Sequence, residues 1–425
     1  MNQLEKDQEF VWHPFTQIKT EAPPIHIVKA KGATMIDERG KKYIDCNSSW
    51  WVNIHGHGNN HIGKAISTQF KKIDHIIFAG ATHDKAIELA ERVANKLPST
   101  LSKVFFSDDG STAVEVALKM AIQFWHNKKE NRKRILAIDG AYHGDTFGAM
   151  SVCERGVFNR PFEPLFFHVD FIDFPTKNTE INLLIQAEEL LKSNEFAALI
   201  VEPLVQGSAG MRMYSAHFLD ELVKLAKKYK TLVIFDEVMT GWGRTGKWFA
   251  MNHTKEIPDI VCLSKGLTGG VLPLGLTVAT IDIFNAFLSD EKRKAFLHGH
   301  SFTGNPLACA AACASMDLLE KEETWQAIER ISTNNEKFLI EIENHPKIKA
   351  SRCLGTILAI ELGVSSESSY FNSIRDEAYH FFLENGLWIR PLGNVIFVNP
   401  PYCLTQAEQN RIFAVLKSFL KKIEK

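Results

Sequence analysis

The stretch LVIFDEVMTGWGRTGKWFA, residues 232–250, decides the fold. Leu232 to Phe235 form a continuous apolar run, the pattern of a strand buried on both faces, and the run ends in Asp236-Glu237. Beyond it, Gly241, Gly246 and Lys247 take the G-x-x-x-x-G-K spacing of a nucleotide phosphate loop. Such a loop needs Ser or Thr next, to ligate Mg²⁺, and here the next residue is Trp248. The carboxylates also stand at the strand end, ahead of the glycines. The nucleotide reading is therefore set aside, and the question becomes what a carboxylate closing a buried strand is for. It loses hydration there unless a cation or a donor meets it, and Arg244 is one structural candidate.

Outward from this stretch, short apolar runs alternate with helical segments. Strands are expected at Val104–Phe106, Ile135–Ile138, Ala198–Glu202, Thr231–Phe235 and Ile260–Leu263. Between them, AHFLDELVKLAKKYK (216–230) sets Phe218, Leu219, Leu222, Val223 and Ala226 on one helical face. Continuous apolar strands alternating with helices predict an α/β fold, a mostly parallel sheet covered on both sides. Ahead of it lie an arm, WHPFTQ (12–17), and a hairpin, ATMID (33–37) and KYIDC (42–46) around the turn ERGK. Past Leu319, ILAIEL (357–362), GLWIRPLG (386–393) and NVIFVNPP (394–401) read as strands, and residues 405–425 as an amphipathic helix. The expected division is an arm and hairpin at 1–59, a large domain at 60–319, and a C-terminal small domain at 320–425 that the hairpin joins.

The 425 residues suffice for a large core with a smaller one attached. A net charge of −1 gives no basic surplus to draw nucleic acid or an anionic membrane. No apolar run reaches the ~20 residues of a membrane span. MNQLEKDQEF is polar and mixed in charge, unlike a secretory signal. Seven scattered cysteines without a C-x-x-C argue against a disulfide framework and a zinc site, and fit a reducing cytoplasm. Cys309 and Cys313 read as small core residues. His55, His57 and His61 have no carboxylate or thiolate in ligand register, so no metal is expected.

In open α/β sheets ligands sit at the carboxyl ends of the strands. Four such ends carry suggestive groups. In FFSDDGSTAVEVALKMA (105–121), Gly110 and Ser111 open a helix whose free N–H groups make an anion site, or else Ser111 is a plain cap. In AIDGAYHGDT (137–146), Tyr142 and His143 follow a strand and offer a ring face. Asp236 closes the third strand. Lys265, after Ile260–Leu263, would have a lowered pKa if drawn into the strand end, and so become a nucleophilic amine. An anion site, an aromatic face, a buried carboxylate and a reactive lysine are together what pyridoxal phosphate requires.

With FDEVMTGWGRTGKWFA and PDIVCLSKGLTGG, the chain resembles the class III (ω-) aminotransferases of fold type I. WHPFTQ, NSSWWVNIHGH, GAYHGDTFGAMSVC, VQGSAGMRMY, HGHSFTGNPLACAAACASM and WIRPLGN resemble one branch of that family. Its members aminate 8-amino-7-oxononanoate to 7,8-diaminononanoate in biotin synthesis, by a ping-pong mechanism with S-adenosylmethionine as donor. The alternatives are the same reaction with lysine as donor, or another ω-aminotransferase.

The resemblance implies that Gly110 and Ser111 bind the cofactor phosphate and that Tyr142 stacks on the pyridine ring. It implies that Asp236 pairs with the ring nitrogen and that Lys265 carries the cofactor and moves protons. His300 and Ser301 would reach the phosphate across the interface of a homodimer with shared active sites. Phe15, Trp51, Gly299 and Arg390, with Tyr142 and Lys265, would contact the substrates, Arg390 taking the carboxylate of the oxononanoate. Phe15 stands where adenosylmethionine-using members usually have Tyr, which bears on the donor.

Overall fold

The structure, a computed structural model, describes residues 1–363 and 373–424. Its central sheet has seven strands. Their order is Leu101–Ser107, Gly275–Thr280, Ile260–Leu263, Leu232–Asp236, Phe196–Val201, Arg134–Ile138, Val169–Ile172. Gly275–Thr280 is antiparallel to both neighbours, and the other neighbouring pairs are parallel. All five expected strands are present, with ends shifted by a few residues.

Two strands of this sheet were not foreseen, and each hid for a local reason. Val169–Ile172 is only four residues long and carries Asp170. Gly275–Thr280 follows Gly269 to Leu274, whose glycines and proline read as loop. Its reversed direction matters to the site. Gly275 pairs with Ser107 and Leu276 with Leu263, so the loop entering this strand lies at the carboxyl edge of its neighbours.

Side chains alternate along each strand, and that alternation divides the core in two. Leu136, Ile138, Leu199, Val201, Val233, Phe235, Val261 and Leu263 pack on one face. Ile135, Ala137, Ala198, Ile200, Ile234, Ile260 and Cys262 pack on the other. The first face takes the helix Ala216–Lys228, with the five expected residues buried. The second takes Gly110–Asn127, where Val114, Leu118 and Ala121 are buried but Ile122 only partly. That helix buries Val116, Met120, Phe124 and Trp125 as well, so its apolar surface is wider than one stripe. At about 1.5–3 kcal/mol for each fully buried large apolar side chain, the two layers give the sheet its rigidity. Cys309 and Cys313 are buried in the helix Pro306–Leu319.

The hairpin pairs Thr34–Asp37 with Lys42–Asp45, preceded by a strand Ile27–Lys31 on its outer side. Leu387–Trp388 pairs with Lys42–Asp45 in parallel, Leu387 opposite Ile44 and Trp388 opposite Asp45. Ala33, Ile44 and Cys46 share a core with Phe338, Phe382, Leu416 and Phe419. A separate sheet joins Ile348–Leu354, Ile357–Leu362 and Val395–Val398. GLWIRPLG is thus a strand over two residues only. Arg390 lies beyond its end, where its N–H is taken by the Asn47 carboxamide and Pro391 has none to offer. Among the described residues no helix is long and apolar enough to cross a membrane.

Candidate active site

The carboxyl ends of the central strands and the loop Gly270–Leu274 enclose a cleft of about 630 Å³, room for a cofactor and a small substrate together. Tyr142, His143, Glu202, Asp236 and Lys265 all line it. Asp236 is buried, and its donors are His143 and a backbone amide, not Arg244. His143 Nδ1 lies 2.7 Å from Asp236 Oδ2, and Val238 N–H donates to Oδ1 at 3.0 Å. His143 Nε2 is buried without a hydrogen-bond partner among the described residues. Read from sequence as a ring face beside Tyr142, His143 instead orients the carboxylate. Arg244 donates to the backbone carbonyls of Pro400 and Trp51.

Lys265 follows the strand Ile260–Leu263 at φ +44, a left-handed backbone that a non-glycine residue adopts only under constraint. The constraint is local: Ser264 Oγ donates to the carbonyl of Leu274 at 2.7 Å, tying the turn to the reversed strand's entry loop. Burial lowers the pKa of the amine, with Asp236 and Glu202 opposing and Arg244 assisting. Lys265 Nζ stands 5.1 Å from the centre of the Trp51 ring. Glu202, one residue past its strand, accepts from the N–H groups of Tyr142 and Gly207, both at 3.0 Å. Burial raises its carboxyl to about 7, opposed by the charge of His143.

The helix Gly110–Asn127 points its N-terminus into the cleft. Its cap is Asp109, in a capping box with Thr112, not Ser111. Ser111 Oγ accepts from Thr146 N–H at 3.0 Å and lies 2.8 Å from Thr146 Oγ1. A Cβ on Gly110 would stand 2.6 Å from Val238 Cγ1, so glycine is required for this close approach. Tyr142 donates its hydroxyl to Asp145 at 2.9 Å.

A wall of aromatic residues closes the cleft on another side. In SSWW, Ser48, Ser49 and Trp51 all have positive φ. The backbone therefore sends adjacent tryptophans different ways. Trp51 is buried against Phe397 and faces Lys265, whereas Trp50 is exposed between Phe15 at 5.6 Å and the Arg390 guanidinium at 5.5 Å. Trp50, Glu202 and the His143–Asp236 bond were missed from sequence. Trp50 adjoins a chosen residue and Glu202 ends an expected strand, so position along the chain held a signal for both. Gly299, His300 and Ser301 lie outside the lining of their own chain's cleft, with His300 Nε2 3.8 Å from Asp108 Oδ1.

The phosphate-loop lysine has another place. Lys247 donates to the carbonyl of Asn252, and the turn is held by Glu237, which accepts from Thr240 Oγ1 and from the N–H groups of Ala250 and Met251. The three histidines of IHGHGNNH also part company. His55 meets Ser315, His57 meets Asp45 and His61 meets Asp317.

A covered, mostly parallel sheet with a lysine, a carboxylate and a helix N-terminus at its carboxyl edge is the architecture of a fold type I pyridoxal-phosphate transferase. Residues 16–420 match the family described as aminotransferase class-III, and the chain belongs to that family. It is 47% identical over 422 residues to the adenosylmethionine-8-amino-7-oxononanoate aminotransferase of Synechococcus elongatus, covering 97% of this chain and 99% of that one. The crystal structure of the protein of the same name from Methanocaldococcus jannaschii superposes with a TM-score of 0.93 at 36% identity, over 98% of each chain. A pyridoxal-phosphate-bound amine transaminase from an uncultivated Pseudomonas species gives 0.90 at 29%, over 97% of this chain and 98% of that one.

The cofactor of this family is pyridoxal 5'-phosphate. The residues fit it. The Gly110 cradle admits no side chain, the helix N-terminus suits a phosphate, and the buried Asp236 has its orientation fixed by His143.

Proposed function

We propose that the chain transfers an amino group from S-adenosylmethionine to 8-amino-7-oxononanoate, giving 7,8-diaminononanoate for biotin synthesis. One observation carries the acceptor. Trp51 faces Lys265 and the adjacent Trp50 faces Arg390, so a cation stands one aromatic step from the reacting amine. A keto acid whose carboxylate lies several methylenes from its ketone suits that spacing, and a guanidinium suits the carboxylate. The names of the relatives support the same substrates.

Pyridoxal phosphate, when bound, supplies the electron sink that lets the carbon bearing the substrate nitrogen give up its proton. Lys265 Nζ would be its attachment point, and burial, which lowers the pKa of this amine, favours the form that can take up that proton and give it back. Asp236, aimed by His143, would keep a proton on the pyridine nitrogen. Gly110 and Ser111 would hold the phosphate, and Tyr142 would cover the ring. Trp50, Trp51, Phe15 and Arg390 hold the substrates, with Gly299 beside them.

The active unit is a cytoplasmic homodimer in which Gly299, His300 and Ser301 serve the site of the other copy. Their place outside their own cleft supports this. The chain divides near 59 and 319, a division supported by the shared core of Ala33, Ile44 and Cys46 with residues 331–420.

The test offers 8-amino-7-oxononanoate with either S-adenosylmethionine or lysine and follows the diamine by mass. Product with S-adenosylmethionine is expected. Product only with lysine would move the donor, and the exposed Phe15 ring against Trp50 would be its first suspect. No diamine with either donor would overturn the reading.

A further inference from the structure

The loop that sends the two tryptophans apart closes on one buried carboxylate. Asp45 is fully buried at the end of the strand Lys42–Asp45. Its Oδ1 accepts from the N–H groups of Ser49 at 2.9 Å and Asn47 at 3.3 Å. Its Oδ2 accepts from Ser49 N–H at 2.7 Å and Ser49 Oγ at 3.2 Å, and lies 3.0 Å from His57 Nε2. Ser49 is thereby held at φ 60, ψ −86, a conformation close to the strained γ-turn that L residues rarely adopt. Trp50 follows at φ −129, ψ 57, and Trp51 at φ 64. The segment Ser48–Trp51 closes as a helical turn, with the N–H groups of Trp51 and Val52 donating to the carbonyls of Asn47 and Ser48, yet Ser49 and Trp50 leave helical angles.

The second anchor is Asn47. Its Nδ2 donates to the carbonyl of Phe397 at 3.0 Å and its Oδ1 accepts from the N–H of Arg390 at 2.8 Å. Strand pairing of Trp388 with Asp45 sets the register of both segments, and the Asn47 carboxamide then fixes Arg390 relative to the tryptophans.

We propose that Asp45 and Asn47 are the positioning residues of the acceptor site: Asp45 holds the loop that splits Trp50 from Trp51, and Asn47 ties that loop to Arg390. The proposal rests on the reading that Trp50, Trp51 and Arg390 hold the substrate. Neither residue lines the cleft, so the effect belongs in acceptor binding and not in the chemistry at Lys265.

The experiment uses the cofactor-loaded enzyme and three variants. Asp45→Asn leaves one acceptor oxygen where several donors converge and sets an NH₂ against another. It is expected to raise the KM for 8-amino-7-oxononanoate at least ~10-fold while kcat and the cofactor's visible absorption change little. Tryptophan quenching by the same acceptor should show the weaker binding without turnover. Asp45→Asn/Ser49→Gly should recover most of the affinity, because glycine adopts positive φ without being held there. Ser49→Val, at an exposed position, leaves Asp45 intact but disfavours φ 60, and is expected to give the same rise in KM should Asp45→Asn not fold. An unchanged KM in folded Asp45→Asn or in Ser49→Val overturns the proposal, as does a double variant no better than Asp45→Asn alone. Wild-type enzyme that forms no diamine would instead remove the underlying reading, and the proposal with it.

Discussion

Lys265 meets two costs in one residue. Its backbone sits at φ +44, strain of order 1–3 kcal/mol, and its amine is kept from water. In the proposed role both favour an amine that gives up its charge before it reacts. Lys265→Ala should leave the fold intact, but borohydride reduction should no longer fix the cofactor to the chain; covalent label on another lysine would refute the assignment. Arg390→Ala should slow the oxononanoate half-reaction far more than the donor half-reaction, read from single-turnover spectra. Equal, small effects would make Arg390 scaffold.

Glu202 gives the pH dependence its sign. Its carboxyl ordinarily titrates near 4.5 and is raised by burial to about 7. Between those values the folded chain keeps a proton that the unfolded chain has released, so this group's contribution to stability falls as pH rises through the window. Glu202→Gln removes that slope. The melting temperature of cofactor-free protein should therefore gain more at about pH 8 than at about pH 5. An equal gain at both would show that Glu202 ionises in the fold as it does in the unfolded chain. Lys265, Asp236 and Tyr142 were legible in sequence because each stands at or just past a strand end. The split of Trp50 from Trp51 was not, because it follows from backbone angles imposed by a buried carboxylate.

The helix Gly110–Asn127 does two tasks with its two ends of character. Its apolar flanks pack against the sheet, and its first turn lines the cleft, where Asp109 caps it by accepting from the Thr112 N–H. A methyl at Gly110 must push Val238 away, which shifts the turn off the phosphate. Gly110→Ala should raise the dissociation constant of pyridoxal phosphate at least ~10-fold, about 1.4 kcal/mol, measured by equilibrium dialysis followed by absorbance. Unchanged affinity would place the phosphate elsewhere. Long, strongly periodic elements such as this helix could be read from the chain. The reversed strand Gly275–Thr280 could not, since direction is a property of pairing with Leu101–Ser107 and Ile260–Leu263 and leaves no mark in composition.

Across the whole molecule, the loop that carries His300 and Ser301 lies outside its own cleft. If it completes the partner's site, loss of cofactor and dissociation are linked, since a ligand that binds the dimer better stabilises it by mass action. Dilution of cofactor-free enzyme should give monomer at concentrations where loaded enzyme sediments as dimer. A fully active monomer would refute the sharing.

The parallel pairing of Leu387–Trp388 with the N-terminal hairpin has a consequence in time. Asn47 meets Arg390 only 343 residues later in the chain. A ribosome adding ~5–20 residues per second needs some tens of seconds to cover that distance. Throughout it the strand Lys42–Asp45 has no neighbour on one side. Before that meeting the growing polypeptide already holds Lys265, Asp236, Glu202 and both tryptophans, yet lacks the guanidinium of Arg390. The acceptor wall is among the last parts to be made, and it closes by joining an early piece of the chain to a late one.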